Sequence, residues 1–199
     1  MEYDYQERHR MPRTIKGFFF DLDGTLIDTE EANFQAYKKA INSVCGINII
    51  KSQYRKTNGM VYSDFLPILV PNIKPSEIKK ISEQKKEFYK TQMHLTKPNI
   101  FLIDFLKRMA DDYTTILVTT AKKDNANTVL EEHRITKQFD FMVFGDDVKK
   151  MKPNPEAYKV ALKLSGLKKD EVVAFEDSQV GISAAHSAGI STIHIRSFL

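Results

Sequence analysis

Five short apolar runs set the rhythm of the chain: residues 15–20 (IKGFFF), 115–119 (TILVT), 141–144 (FMVF), 172–175 (VVAF) and 192–195 (TIHI). Each is nearly unbroken in apolar character, the pattern of a strand covered on both faces, as in a parallel sheet. Between the later runs, helical patterns predict helices over 124–134, 155–164 and 179–188. Pro153 and Pro155 mark the start of the second of these, and Gly189 the end of the third. Strands alternating with helices predict an α/β fold built on a doubly wound parallel sheet.

The first crossover breaks this rhythm. About a hundred residues separate the first run from the second, where a strand-to-helix loop takes about a handful. The gap is itself helical in pattern, over 30–44, 64–70 and 76–93, and 99–109 returns as the helix before the second strand. Pro67, Pro71, Pro75 and Pro98 punctuate it. Pro75, Ser76 and Glu77 read as a helix start, although Ser76 with Lys79 does not form a capping box. The expected organisation is therefore a core of residues 14–28 and 99–199, a helical cap of residues 29–98 inserted after the first strand, and a flexible leader over 1–13.

Composition narrows the classes. In 199 residues, 42% are hydrophobic and 28% charged, the mix of a soluble folded chain. No stretch approaches the roughly 18 apolar residues of a membrane span. Residues 1–13 are charged and have no apolar h-region, so no secretory signal is expected. The single cysteine, Cys45, excludes an intramolecular disulfide framework and a Cys-based zinc site, and a reducing, cytoplasmic location is expected. Of the net charge of +4, the positive surplus lies in 29–98, with 12 Lys and Arg against 6 Asp and Glu. That surplus suits anionic substrates, nucleic acid or plain solvated helix faces. No interleaving of arginine with aromatics accompanies it, so nucleic acid is not an expected partner. Nothing demands more than a monomer.

The candidate chemistry sits at the ends of the apolar runs. Asp21 and Asp23 close the first one, in FFFDLDGT. Open α/β sheets bind ligands outside the carboxyl ends of their strands. Residues two apart on an extended chain point the same way, so two carboxylates would crowd one spot unless a cation or a shared proton relieves them. Gly24 permits a sharp turn there. Glu176 and Asp177 close the fourth run in the same way, and two acidic pairs at neighbouring strand ends make an oxygen site suited to Mg²⁺. Thr119 ends the second run, where its hydroxyl and the amides of Thr120 and Ala121 can hold a phosphate oxygen. Lys152 precedes Pro153, which extends the chain and can aim the ammonium at the same centre. Its replacement by alanine is expected to cost rate more than stability. Together these parts supply what phosphoryl transfer needs: a nucleophilic carboxylate, a second acid, and cations to neutralise the oxygens.

In motif order and over residues 15–195 the chain resembles the haloacid dehalogenase superfamily of phosphohydrolases. DLDGTL at 21–26, the Thr119 strand end, KPNPEAY at 152–158 and EDSQVGISAAHSAG at 176–189 look like its four signatures. The resemblance implies a Rossmann-like core with a helical cap, Mg²⁺ dependence and an aspartyl-phosphate intermediate. It implies that Asp21 is nucleophile and metal ligand, and that Asp23 is general acid/base and lends its carbonyl to the metal. Thr119 and the Thr120 amide would hold the phosphoryl group, Lys152 would stabilise charge, and Asp177 with Glu176 would complete the metal shell. The regions 28–37 and 58–64 resemble the beta-phosphoglucomutase-like branch, which makes Asn58 and Gly59 candidates for the substrate-specificity loop.

That branch's mutases usually carry Val at Thr25, His at Asn33 and Arg at Tyr62. A mutase needs the arginine as a clamp for a second phosphate. The favoured expectation is a phosphatase acting on a small phosphorylated metabolite, with a phosphomutase as alternative. A phospho-accepting receiver module and a nucleic-acid-binding module are the readings from other classes. Receivers lack so large an insert, and their acceptor Asp ends a middle strand. His133, His186 and His194 lie in helical or strand contexts without metal-ligand spacing, and packing or surface roles are expected for them.

Overall fold

The structure is a computed structural model that describes residues 14–57 and 60–196. The leader expected over 1–13 lies outside the described residues. At the centre runs β1 (Gly17–Phe20), flanked in parallel by β4 (Thr114–Val118) and β6 (Val172–Glu176). The edges are β5 (Phe141–Val143) beside β4 and β7 (Ser191–His194) beside β6. All pairings are parallel, in the order β5-β4-β1-β6-β7.

The triple phenylalanine explains why β1 is central. Phe20 and Phe18 lie on one face against Phe175, with Phe20 and Phe175 stacked at 4.9 Å between ring centres. Phe19 points to the opposite face, into a cluster with Ile116, Val143 and Tyr158. A strand with apolar side chains on both faces fits only where helices cover both faces. The crossover helices do so: α5 (Ile100–Met109), α6 (Lys123–Glu132), α7 (Glu156–Ser165) and α8 (Gln179–Ser187). The sheet grows from β1 outward through β4 and β5, then returns to the other side of β1 for β6 and β7. The carboxyl ends of β1, β4 and β6 therefore meet at the point where strand order reverses, where such sheets open a crevice.

Between β1 and β4 stand α1 (Glu30–Cys45), α2 (Lys51–Arg55), α3 (Tyr62–Leu69) and α4 (Pro75–Lys90). They bury their own cluster, including Phe34, Ile41, Tyr54, Phe65 and Ile81. Helix α4 starts at Pro75, and the Glu77 carboxylate accepts from the Lys74 N–H at 2.8 Å. Half of a capping box is thus present, with Lys74 at the cap, two residues earlier than Ser76 suggests. Two further elements carry no sequence periodicity, β2 (Ile27–Asp28) and β3 (Lys97–Pro98), which pair antiparallel where the chain enters and leaves the helical segment. Among the described residues no helix is long and apolar enough to cross a membrane.

Candidate active site

Asp21 follows the last residue of β1 and its N–H donates to Phe175 O at 3.1 Å, so its backbone still belongs to the sheet. Beyond it the chain turns sharply: Gly24 has φ +88°, and its N–H donates to Ile27 O at 2.8 Å. An added Cβ at Gly24 would stand 2.3 Å from Asp177 Oδ2, so the position excludes other residues on both counts.

Four of the expected residues converge. Lys152 Nζ donates to Asp21 Oδ1 at 2.8 Å, to Glu176 Oε1 at 2.5 Å and to Val118 O at 2.9 Å, which uses all three ammonium hydrogens. Lys152 is only 9% exposed. Burial opposes its charge, but Asp21 and Glu176 outweigh burial and lift the ammonium above the usual lysine range. The Lys152–Pro153 peptide is cis. Asp177 joins from the other side, its Oδ1 accepting from Thr25 Oγ1 at 3.0 Å and its carbonyl lying 2.9 Å from His194 Nε2.

Asp21, Glu176 and Asp177 each offer a carboxylate oxygen within 4.8 Å of the others, a set that could hold one metal ion. Glu176 is fully buried, yet among the described residues its Oε2 has no hydrogen-bond partner. Burial, with the Asp21 charge added, pushes Glu176 up against the pull of Lys152 and Tyr158. Burial and Asp21 likewise push Asp177 up. One ammonium cannot balance three crowded carboxylates, so this cluster is short of positive charge. Its all-oxygen donor set fits a hard divalent cation.

Asp23 is not a member of that three-carboxylate set. Its carboxylate feels the charges of Asp21 and Asp177 and accepts a hydrogen bond from Thr29 Oγ1 at the start of α1. Thr29 Oγ1 in turn accepts from Asn33 Nδ2 at 3.2 Å. Burial lifts the Asp23 carboxyl to about 6, with the Asp21 charge adding to the rise and the Thr29 bond opposing it.

Thr119 is buried at the end of β4 and its N–H donates to Val143 O at 3.0 Å. Its hydroxyl accepts from the Ala121 N–H at 3.0 Å. The expectation that the Ala121 amide is available to a phosphate is therefore corrected, because a local hydroxyl turn uses it. Thr120 is exposed, and its carbonyl packs so tightly on Gly145 that an added Cβ there would come within 2.4 Å. Asn58 and Gly59 lie outside the described residues.

Three contributors were not anticipated. Tyr158 and Gly181 surround Glu176. Lys85 of α4 is 7% exposed, its Nζ 3.9 Å from the centre of the Tyr89 ring and 5.2 Å from that of Tyr37. Burial pulls this ammonium down to about 8, with the Asp23 charge opposing the fall. The sequence signal for Lys85 was present: Ile81, Lys85 and Tyr89 recur every four residues along the buried stripe of α4.

A protein-family model described as "Haloacid dehalogenase-like hydrolase" matches residues 18–195. This chain belongs to that family. The haloacid dehalogenase-like chain is 32% identical, over 186 residues, to a phosphorylated carbohydrates phosphatase of Thermotoga maritima, a match spanning 90% of this chain and 84% of that one. Its fold is similar to the crystal structure of a putative beta-phosphoglucomutase from Thermotoga maritima, with 32% identity, a TM-score of 0.71, and coverage of 92% and 88%. It is also similar to CbbY from Rhodobacter sphaeroides in complex with phosphate, with 25% identity, a TM-score of 0.79, and coverage of 93% and 88%. The resemblance read from the motifs, the α/β fold and the membership in the phosphatase and beta-phosphoglucomutase-like branch of this hydrolase family all hold.

The Lys85 environment makes a prediction in which stability and function oppose each other. A buried ammonium set among aromatic rings, and only partly offset by the Asp23 charge, penalises the folded state, whose lysine titrates near 8 against 10.5 in the unfolded chain. Between those values the unfolded state binds the extra proton, so stability rises with pH. Lys85→Met is expected to have a higher Tm than the wild type at pH 7. That advantage should shrink as pH climbs from about 8 towards 10.5, as followed by thermal melts across pH. A lower Tm for the methionine variant at pH 7 would show that the ammonium is stabilising.

Proposed function

We propose that the protein is a Mg²⁺-dependent phosphatase that releases phosphate from a small phosphorylated carbohydrate through an aspartyl-phosphate on Asp21. The observation that carries this reading is the Lys152 ammonium held on Asp21 beside the oxygen cluster of Glu176 and Asp177. Asp21, Asp177 and Glu176 are the residues that would hold Mg²⁺, with the Asp23 carbonyl. When bound, the cation neutralises charge on the phosphoryl oxygens.

In this reading an Asp21 carboxylate oxygen attacks phosphorus and the bond to the leaving oxygen breaks. Asp23, set opposite by its hydrogen bond from Thr29, gives its proton to that oxygen. Asp23 then takes a proton from water as the water attacks the phosphorus, which frees Asp21 and inorganic phosphate. Lys152 holds the Asp21 carboxylate and offsets negative charge, while Thr119 and the Thr120 amide steady the phosphoryl oxygens. Residues 29–98 serve as the cap over this crevice. Lys85, facing Asp23 from α4, offers its cation and its flanking tyrosines to the leaving group. Asn58 and Gly59 belong to the specificity loop. The location is cytoplasmic and the working unit a monomer.

The name of the Thermotoga maritima phosphatase supports a carbohydrate phosphate as substrate. The mutase reading has the similar putative beta-phosphoglucomutase on its side. Against it stands Tyr62, where mutases of this branch carry the clamping arginine; here Lys122 Nζ lies 6.0 Å from the tyrosine ring centre.

The deciding experiment is a screen of phosphorylated sugars with and without Mg²⁺, read as released phosphate, beside a coupled assay for conversion of glucose 1-phosphate to glucose 6-phosphate. Mg²⁺-dependent phosphate release without interconversion is expected. Interconversion would establish the mutase, and silence in both assays would remove the phosphotransfer reading. Asp23→Asn is expected to slow turnover by roughly 10²–10⁴, the range typical of a lost general acid–base group. Unchanged steady-state turnover of this variant would remove Asp23 from that role.

A further inference from the structure

The support that aims Lys152 lies behind it. Tyr158 is fully buried in α7, and its hydroxyl donates to Glu176 Oε1 at 2.5 Å. The same oxygen accepts from Lys152 Nζ at 2.5 Å. Oε2 has no hydrogen-bond partner among the described residues and lies against Gly181, where an added Cβ would stand 1.9 Å from it. The carboxylate is thus wedged between a hydroxyl on one side and the backbone of α8 on the other. Lys152 has spent its three hydrogens on Asp21, Glu176 and Val118, so a shift of Glu176 is passed to the contact with Asp21.

We propose that Tyr158 is a positioning residue: its hydroxyl fixes the Glu176 carboxylate, and through Glu176 it keeps the Lys152 ammonium on Asp21. The proposal rests on the hydrolytic reading above. The tyrosine ring, with its centre 5.2 Å from Lys152 Nζ, also walls the ammonium off from the core. A ring without the hydroxyl would keep that wall and leave Glu176 free to pivot towards a two-oxygen grip on the lysine.

Tyr158→Phe tests this, because it removes one atom and keeps the packing. A misplacement of reacting groups that leaves substrate contacts intact lowers kcat and spares KM. The expected result is a kcat about tenfold lower with KM within about twofold. Val172→Ala is the control: it opens the same core cluster at the far end of β6 from Glu176, lowers Tm, and is expected to keep the wild-type kcat. Should Tyr158→Phe fail to fold, Gly181→Ala presses on Glu176 from its other side and is expected to give the same split. A wild-type kcat in Tyr158→Phe overturns the proposal, or in Gly181→Ala where that variant stands in for it. So does a kcat loss that Val172→Ala reproduces at equal loss of Tm. A wild-type protein that releases no phosphate in the Mg²⁺ screen overturns the hydrolytic reading itself, which separates that failure from an inactive positioning role.

Discussion

Asp21→Asn is expected to abolish Mg²⁺-dependent release of p-nitrophenol from p-nitrophenyl phosphate, a loss of roughly 10⁴–10⁶ for a missing nucleophile. The amide has nearly the shape of the carboxylate, and its oxygen can still accept from Lys152. What disappears is the negative charge that attacks phosphorus. The same change removes one of three crowded carboxylates, because Asp21 raises both Glu176 and Asp177 in the wild type. Tm is therefore expected to hold or rise while activity falls to background. That opposite movement sets a lost nucleophile apart from a damaged fold. Activity within about tenfold of the wild type in a purified, folded variant would strip Asp21 of its role.

Lys152→Met is expected to lose stability as well as activity. The sequence alone suggested that replacing it by alanine costs rate more than stability. Here its ammonium is buried with Asp21 and Glu176 as its ion-pair partners. Removing one partner of a buried ion pair leaves uncompensated charge, at a cost of about 3–5 kcal/mol. For a chain of this size that corresponds to a Tm loss on the order of 10 °C. Adding Glu176→Gln removes the second orphaned charge, and the amide oxygen can still accept from Tyr158. The double variant is expected to regain at least half of the lost Tm in Mg²⁺-free buffer while remaining inactive. A Lys152→Met protein that melts with the wild type would show that these ion pairs do not stabilise the fold.

The sheet was legible because its signal is strong and local. IKGFFF and VVAF are apolar on both faces, and that suits only central strands, which β1 and β6 are. The ends of the elements moved by one to three residues, the largest shift being at the end of α4, which stops at Lys90. Sequence reading missed β2 and β3 because two residues carry no period, and α2 because five residues of it, Lys51–Arg55, expose most of their side chains. At the site, the rule that places acids at strand ends brought Asp21, Glu176 and Asp177 to one point. What it could not give is the Thr29 hydroxyl that donates to Asp23 from the start of α1. Lys85 could have been found as the one charged member of an apolar stripe. Gly181 also left a trace, as a glycine inside an otherwise helical pattern. Tyr158 closes the KPNPEAY signature, but the motif does not say what its hydroxyl touches, and only its distance to Glu176 reveals that.

The pairing of Ile27 with Pro98 and of Asp28 with Lys97 has a consequence for how such a protein can change. Both ends of the helical segment leave the sheet side by side, and a strand-to-strand contact already closes the gap between them. The strand ends that bear the acids keep their own pairing partners whatever is spliced between these two points. On the function proposed above, exchanging this one contiguous stretch of chain rewrites selectivity while the acid-bearing strand ends beneath it are inherited unaltered.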